Sequence, residues 1–403
     1  MLILLKTDKM ISIMLGLDVT RLVAIWGRAP LKITPTLCLP IRYQKSDCRI
    51  CVQNCPVKAV EVTENSVSVT DKACTGCGVC ASLCPTGVFE MTNLPFHHFF
   101  KKAEEYLSQV NAITLECYKV PFGDSLPLSL RVPCLAHITP GLMLKLLSIG
   151  AKEIIVRDAG ICGVCESKCG DKAAADAVLK IQELLKDSGL RQKVSVITNA
   201  VSINNLTFKG DRLKDYKEDY EVSRREMFSV FRKGAYKGVA GVIKEEPSPV
   251  IDPGRDRLKK GIPKEREELL KAMEGLISRN VNPQTPLRSR IFPAVKIDKG
   301  CDMCSLCHLF CPTDALALED TKEALGIAFK PASCLGCGLC VPICAKNVLT
   351  LKAQEILPDE IIQQKKRIIV WFDKARCADC GRNFVKIKSG EICDTCLKER
   401  ELQ

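Results

Sequence analysis

The sequence predicts a multidomain chain of mixed α/β and α+β class. Two small cysteine-caged modules lie on either side of a parallel α/β sheet, with a helical linker and a small four-cysteine tail. Three observations carry this. Cysteine runs of the form C-x2-C-x2-C recur in two blocks, around 48–84 and 301–344. Short apolar runs alternate with helix-type stretches over 112–198, the pattern of a parallel sheet. Near the end, "CADCGRNFVKIKSGEICDTC" sets two C-x2-C knuckles 12 residues apart.

The 403 residues hold 25 cysteines and 4 histidines, and 46% of the chain is hydrophobic. That composition fits folded domains rather than disorder. Dense cysteine means either a disulfide scaffold or metal ligation. Lys6, Asp8, Lys9, Asp18 and Arg21 interrupt the apolar N-terminal stretch, so neither a signal peptide nor a membrane span is expected. The expectation is a cytoplasmic, metal-binding protein. The formal charge of +12 invites a nucleic-acid reading. Six thiolate-held centres at about −2 each would cancel most of it.

The cysteines fall in blocks 38–84, 117–169, 301–344 and 377–396, which account for all 25. Expected domains are 1–96 (an N-terminal extension and the first module), 97–200 (α/β), 201–292 (helical linker), 293–357 (second module) and 358–403 (tail). In the linker, 209–234 and 263–279 read as polar helices with an apolar stripe. Pro263 opens the second of these, Glu265, Glu267 and Glu268 follow, and Leu269, Leu270, Met273 and Leu276 recur at helical spacing. The Pro-rich 245–257 reads as exposed. The basic residues here read as a solvated face, or else as a docking arm for an acidic partner.

"CRICVQNCPVKAV", "CGVCASLCPTGVF", "CSLCHLFCPTDAL" and "CGLCVPICAKNVL" are copies of one unit. C-x2-C-x2-C offers three corners of a four-iron, four-sulfur cubane, and a distant cysteine closes it. The triple run followed by C-P favours iron–sulfur over the paired knuckles of zinc sites. These segments resemble bacterial-type dicluster ferredoxins. The resemblance implies two 4Fe-4S clusters per module, held by Cys301, Cys304, Cys307 and Cys344; by Cys334, Cys337, Cys340 and Cys311; by Cys74, Cys77, Cys80 and Cys55; and by Cys48, Cys51 and Cys84 with a fourth ligand. The usual first cysteine of that last set is missing, and Lys45 stands there. Cys38 is the substitute on a longer loop, or else it is free beside a three-iron or labile cluster. Ala345 replaces the Pro of the other copies, which alters stiffness rather than ligation. "AVEVTENSVSVT" and "ALALEDTKEALGIAFK" read as the modules' hairpins.

In the middle, "AITLEC", "LRVPC", "EIIVRDAGIC" and "KVSVI" read as strands. Thr139, Pro140 and Gly150 mark the start and stop of one helix, and "DKAAADAVLKIQELLKDSG" reads as another. Cys117, Cys134 and Cys162 each follow a strand, and Cys165 and Cys169 lie on the next loop, so five thiols gather at the carboxyl edge of the sheet. "RVPCLAHITPGLMLKLLSIGA" and "DAGICGVCESKCGDK" resemble the delta (iron–sulfur) subunit family of methyl-viologen-reducing hydrogenase. The resemblance implies one 2Fe-2S cluster on four of the five, anaerobic metabolism, and electron delivery to flavin enzymes of the heterodisulfide-reductase type. A redox disulfide or a structural zinc is the alternative, and a spare cysteine could be a reactive thiol.

Cys377, Cys380, Cys393 and Cys396 match a zinc ribbon, with rubredoxin-type iron as the rival. His97, His98, His137 and His308 are too scattered for a histidine-ligated site. His308, beside Cys307, is expected to pack near a cubane. No G-x-G-x-x-G after a strand, P-loop or Ser/His/Asp signature occurs, so no nicotinamide or flavin site and no catalytic residue is expected on this chain. The reading is an electron-transfer subunit in a hetero-oligomer. Its catalytic partner would be a heterodisulfide-reductase-like flavin chain, a hydrogenase, or a molybdenum or tungsten oxidoreductase, with ferredoxin as a further partner. A thiol/disulfide reductase acting at the middle cluster and an iron–sulfur nucleic-acid-binding regulator are the alternatives.

Overall fold

The computed structural model describes residues 29–94, 96–201, 258–280, 286–287, 289–352, 355–387 and 390–401. The N-terminal extension, the polar helix expected over 209–234 and the Pro-rich 245–257 lie outside them.

The first module begins and ends in one ribbon. Strand β1 (Leu31–Ile33) pairs antiparallel with β4 (Phe89–Met91). Between them run α1 (Leu39–Arg42), α2 (Ile50–Asn54), the hairpin of β2 (Val60–Val62) and β3 (Val67–Val69), and α3 (Val79–Leu83). Helices α2 and α3 are short because each stops at a cysteine that precedes proline, a position biased away from helical backbone. Cys55 and Cys84 are both extended, with φ −71° and −67°.

The middle domain starts with α4 (Phe96–Leu107). Strands β5 (Ala112–Cys117), β6 (Ser129–Val132), β7 (Glu153–Asp158) and β8 (Lys193–Thr198) are all parallel, in the order β6-β5-β7-β8. They alternate with α5 (Pro140–Ser148) and α6 (Gly170–Ser188). Thr139 Oγ1 caps α5 by accepting from Leu142 N at 3.2 Å, and Gly189 ends α6 in the left-handed region. Ile113, Leu115, Leu130, Met143, Leu144, Ile154, Val156 and Ile181 form a fully buried core. Glu116 and Arg157 pair inside it at 2.9 Å.

Helix α7 (Lys264–Asn280) starts one residue after Pro263 and lays Leu269, Ala272, Met273, Leu276 and Ile277 against this core, alongside α5. It also touches both cysteine modules. Pro263 fills the space beside Gly87, and Arg266 donates to Ala332 O and Ile291 O, each at 2.8 Å.

The second module repeats the first. Strand β9 (Ala294–Ile297) pairs with β12 (Leu349–Lys352), enclosing α8 (Leu306–Phe310), the hairpin of β10 (Leu316–Asp320) and β11 (Ala324–Phe329), and α9 (Cys340–Ile343). The fourfold repeat shows in the backbone. The third residue after each closing cysteine, Lys58, Gly87, Asp314 or Asn347, has φ between 50° and 67°. Ala345 leaves this intact, since Cys344 keeps φ −72° without a following proline.

After α10 (Pro358–Ile362), the tail joins the second module's sheet. Strand β13 (Arg367–Arg376) pairs with β11 and β14 (Asn383–Val385) with β13, giving the antiparallel order β10-β11-β13-β14. Gly326 makes this possible, because a Cβ there would meet the Trp371 ring and lie 2.8 Å from Val370 O. Helix α11 (Asp394–Glu401) closes the described chain.

Candidate metal centres

The short helices and turns gather the cysteines of each module into two groups. Cys38 is the test of the irregular one. It caps α1, is buried, and its thiol faces Cys84, Cys51 and Cys48. Burial, reinforced by those neighbours, pushes it up to about 12. Lys45 is exposed. The adjoining group holds Cys80 close to Cys77, Cys74 and Cys55, with Cys51 next beyond. In the first module the left-handed turn after each closing cysteine aims the following amide at its sulfur. Ala59 N donates to Cys55 Sγ at 3.2 Å and Val88 N to Cys84 Sγ at 3.4 Å.

In the second module the two groups each line a cavity. Cys311, Cys334, Cys337 and Cys340 surround one, walled by Val295, Leu316, Phe329 and Leu339. Cys301, Cys304, Cys307 and Cys344 surround the other, with Ile297, Ile327 and Leu349. Four sulfurs around an apolar space suit an inorganic cluster that four thiolates must hold. Cys340 lies near Cys337, Cys334 and Cys311, with Cys307 of the other group beyond, and Cys304 is exposed. Met303 and Ser305 hold left-handed φ of 54° and 59° where Gly76 and Gly78 stand in the first module.

The five thiols of the middle domain divide. Cys117 lies buried at the end of β5, facing Cys134, Cys162 and Cys165. Cys169, just before α6, turns instead to Cys134 and to Cys77 of the first module, and its hydrogen bond holds the Cys77 thiol down to about 6. Thr75 Oγ1 and Ser167 Oγ meet at the same seam, 3.3 Å apart and buried. His137 packs there against Gly78 and hydrogen-bonds Asn93 Oδ1 at 3.0 Å. Its burial pushes it down to about 4, so it is neutral.

In the tail, Cys377, Cys380, Cys393 and Cys396 bring four sulfurs within 4.8 Å of one another, close enough to share one ion. The Cys377–Cys396 and Cys380–Cys393 separations are 3.9 and 3.8 Å. A tetrahedron with metal–sulfur bonds of about 2.3 Å has edges of about 3.8 Å.

Comparison with known proteins bears on the two modules. The family model described as "4Fe-4S dicluster domain" matches residues 46–88 and 300–348. An uncharacterized ferredoxin of Methanocaldococcus jannaschii is 40% identical over 47 residues, which is 11% of this chain and 76% of that protein. This chain belongs to the ferredoxin family. Its ferredoxin segments bind iron–sulfur clusters of the 4Fe-4S type, and such domains point to electron transfer. No helix among the described residues is long and apolar enough to cross a membrane.

Sequence reasoning did not find the buried side chains beside these groups. Arg42 is 0% exposed and Arg266 5%. In the sequence both look like ordinary surface cations, and only the packing of distant segments distinguishes them. His308 Nδ1 lies 3.0 Å from Leu316 O, 3.3 Å from Lys260 Nζ and 3.5 Å from Asp314 Oδ1, so its side chain's polar contacts are with the hairpin, Lys260 and Asp314.

Proposed function

We propose that the chain is a multi-centre electron-transfer subunit of a cytoplasmic oxidoreductase complex. The observation that carries this is the continuity of the thiol groups. Cys134 meets Cys169, which meets Cys77. Cys80 lies near Cys51, in the next group. Cys48 and Cys337 pack in one apolar cluster with Leu39 and Leu339 between the two modules. Cys340 lies near Cys307, whose group includes the exposed Cys304. The series runs from the middle domain through the first module to the second, which is not a simple reading of sequence order.

Four 4Fe-4S clusters would sit on the four groups of the modules, Cys38 completing the irregular one. The middle domain's contacts favour Cys117, Cys134, Cys162 and Cys165 for a 2Fe-2S cluster, leaving Cys169 as the bridge to Cys77. The tail's sulfur spacing suits zinc in a ribbon. When bound, each iron–sulfur centre takes up or gives up one electron. The residues present shield the sites with aliphatic side chains and aim amides at the sulfurs, and both tune potential. The catalytic chemistry would belong to a separate subunit, of the flavin heterodisulfide-reductase, hydrogenase or molybdenum/tungsten kind, meeting one end of the series, and a ferredoxin could meet the other.

Protein purified without oxygen tests this by iron, sulfide and zinc analysis with EPR. About 18 iron and one zinc per chain are expected, with a two-iron signal beside interacting cubanes. Sixteen iron without the two-iron signal, again about one cluster's worth fewer, would remove the middle centre. Colourless protein with paired cystines would overturn the whole reading.

A further inference from the structure

Three thiols meet where the middle domain packs on the first module. Cys77 and Cys134 are buried there with Val79, Ala136 and Ala173, and Cys169 packs against them. Cys77 belongs to the first module's group with Cys55, Cys74 and Cys80. Cys134 belongs to the middle group with Cys117, Cys162 and Cys165. Cys169 stands at the start of α6, within hydrogen-bond reach of both sulfurs. Gly170 permits this approach, because a Cβ there would stand 3.0 Å from Cys134 Sγ and 3.3 Å from Leu135 Cβ. The buried hydroxyls of Thr75 and Ser167, 3.3 Å apart, join the same two segments across the seam.

A thiol carries one hydrogen, so Cys169 can donate to Cys77 or to Cys134 but not to both at once. Its own ionisation would set a third negative sulfur between two ligand thiolates in a buried seam, so it keeps its proton. The other donors to Cys77 do not have this choice. The Val79 amide and the Thr75 hydroxyl both lie on the 74–80 ligand loop, so they stay with the first module's centre whichever centre is reduced. A ligand sulfur gains negative charge when its centre takes up an electron. A hydrogen bond to a more negative acceptor is stronger, and burial strengthens it further.

We propose that the Cys169 thiol is one hydrogen-bond donor shared by two centres, turning to whichever of Cys77 and Cys134 belongs to the centre that holds the electron. The proposal rests on the electron-transfer reading above and on its placing of the clusters. One electron passes between the centres, one being oxidised by one and the other reduced by one. The S–H bond stays intact, no proton is transferred, and the thiol need only rotate about its Cβ–Sγ bond. The consequence is a coupling between the two centres. The first electron to reach the seam gains the hydrogen bond. A second electron, on the other centre, meets a donor already taken. Cys169 therefore raises the first of the two midpoints and leaves the second where it is, so the pair favours one electron over two.

A redox titration of the full chain, followed by EPR, tests this after iron analysis. The signals to follow are the two-iron signal and the cubane signal that Cys77→Ser alters. In Cys169→Ala the higher of the two midpoints should fall by about a tenfold change in reduced-to-oxidised ratio at fixed potential, or about 59 mV, while the lower holds. Cys169→Ser keeps a donor and should keep most of the gap between them. Cys169→Val fills the same space without a donor, and should repeat the alanine result free of a void. A gap as wide as that of the wild type in the donorless variants overturns the proposal, whether both midpoints move or neither. Loss of about two iron in both of those variants overturns it as well, because Cys169 would then be a ligand. A wild-type chain without iron overturns the electron-transfer reading itself, and the proposal with it.

Discussion

Cys38 is the residue on which the proposed ligation of the irregular group turns. The spacing leaves a gap at Lys45, and the chain, turning at Pro35–Leu37 and again at α1, places Cys38, ten residues upstream of Cys48, beside that group. Sequence counting proposed this residue, but only the turn at α1 brings its thiol beside Cys48, Cys51 and Cys84. Cys38→Ser should therefore lower iron content by about four atoms per chain and leave the other centres' EPR signals in place. Unchanged iron would mean that three cysteines suffice there. Arg42, four residues on, had no comparable signal. A lone arginine after a proline-rich turn says nothing of the carbonyls of Phe310 and Cys311, which come from 268 and 269 residues away.

At the scale of elements, α7 is the brace. Its apolar stripe was legible from the spacing of Leu269, Met273 and Leu276, because helical periodicity is local. What the stripe would face was not legible. It faces α5, where Glu265 Oε1 accepts from Gly141 N at 3.0 Å, a carboxylate at a helix N-terminus. The Glu265 residue is exposed overall, but desolvation of its carboxyl where it packs against Gly141 raises it above its ordinary range. A carboxyl raised on folding contributes stability below its unfolded value and loses it as pH rises through the folded value. Glu265→Gln keeps the acceptor and removes the titration. Apparent melting temperatures of the mutant should therefore fall less from mildly acidic to neutral pH than those of the wild type. Parallel profiles would show that Glu265 contributes nothing to the pH dependence. Strand β13 also behaves unlike its local text. It is continuous with the ferredoxin hairpin because Gly326 leaves room for Trp371.

The whole molecule combines parts that are stabilised differently. The middle sheet has a large apolar core, whereas the first module's own cluster of buried residues is small: Leu37, Cys38, Ile41, Val60, Val67, Cys80, Val88 and Phe89. Small modules of this kind depend on their metal centres. Removing iron with a chelator under reducing conditions should collapse both ferredoxin modules, while the α/β domain keeps its circular dichroism and its protected amides. If the tail holds zinc, as proposed, removing it alone should loosen 377–401 and leave the iron signals unchanged. Uniform loss of amide protection on iron removal would show that the middle sheet, too, needs the clusters.

The sequence by itself determined the local features: ligand spacing, the fourfold cysteine unit, the βα alternation, and the start and stop of α5 at Thr139 and Gly150. Each of these is written within a few residues and enforced by backbone sterics and hydrogen bonding. Tertiary structure alone decided which thiol group lies next to which, that Cys169 turns towards Cys77, and that Arg42 and Arg266 are both buried beside the segments carrying Cys311 and Cys334. Those contacts join segments up to 269 residues apart. They arise from non-directional burial of apolar faces and from satisfying buried carbonyls, neither of which leaves a periodic mark on the chain.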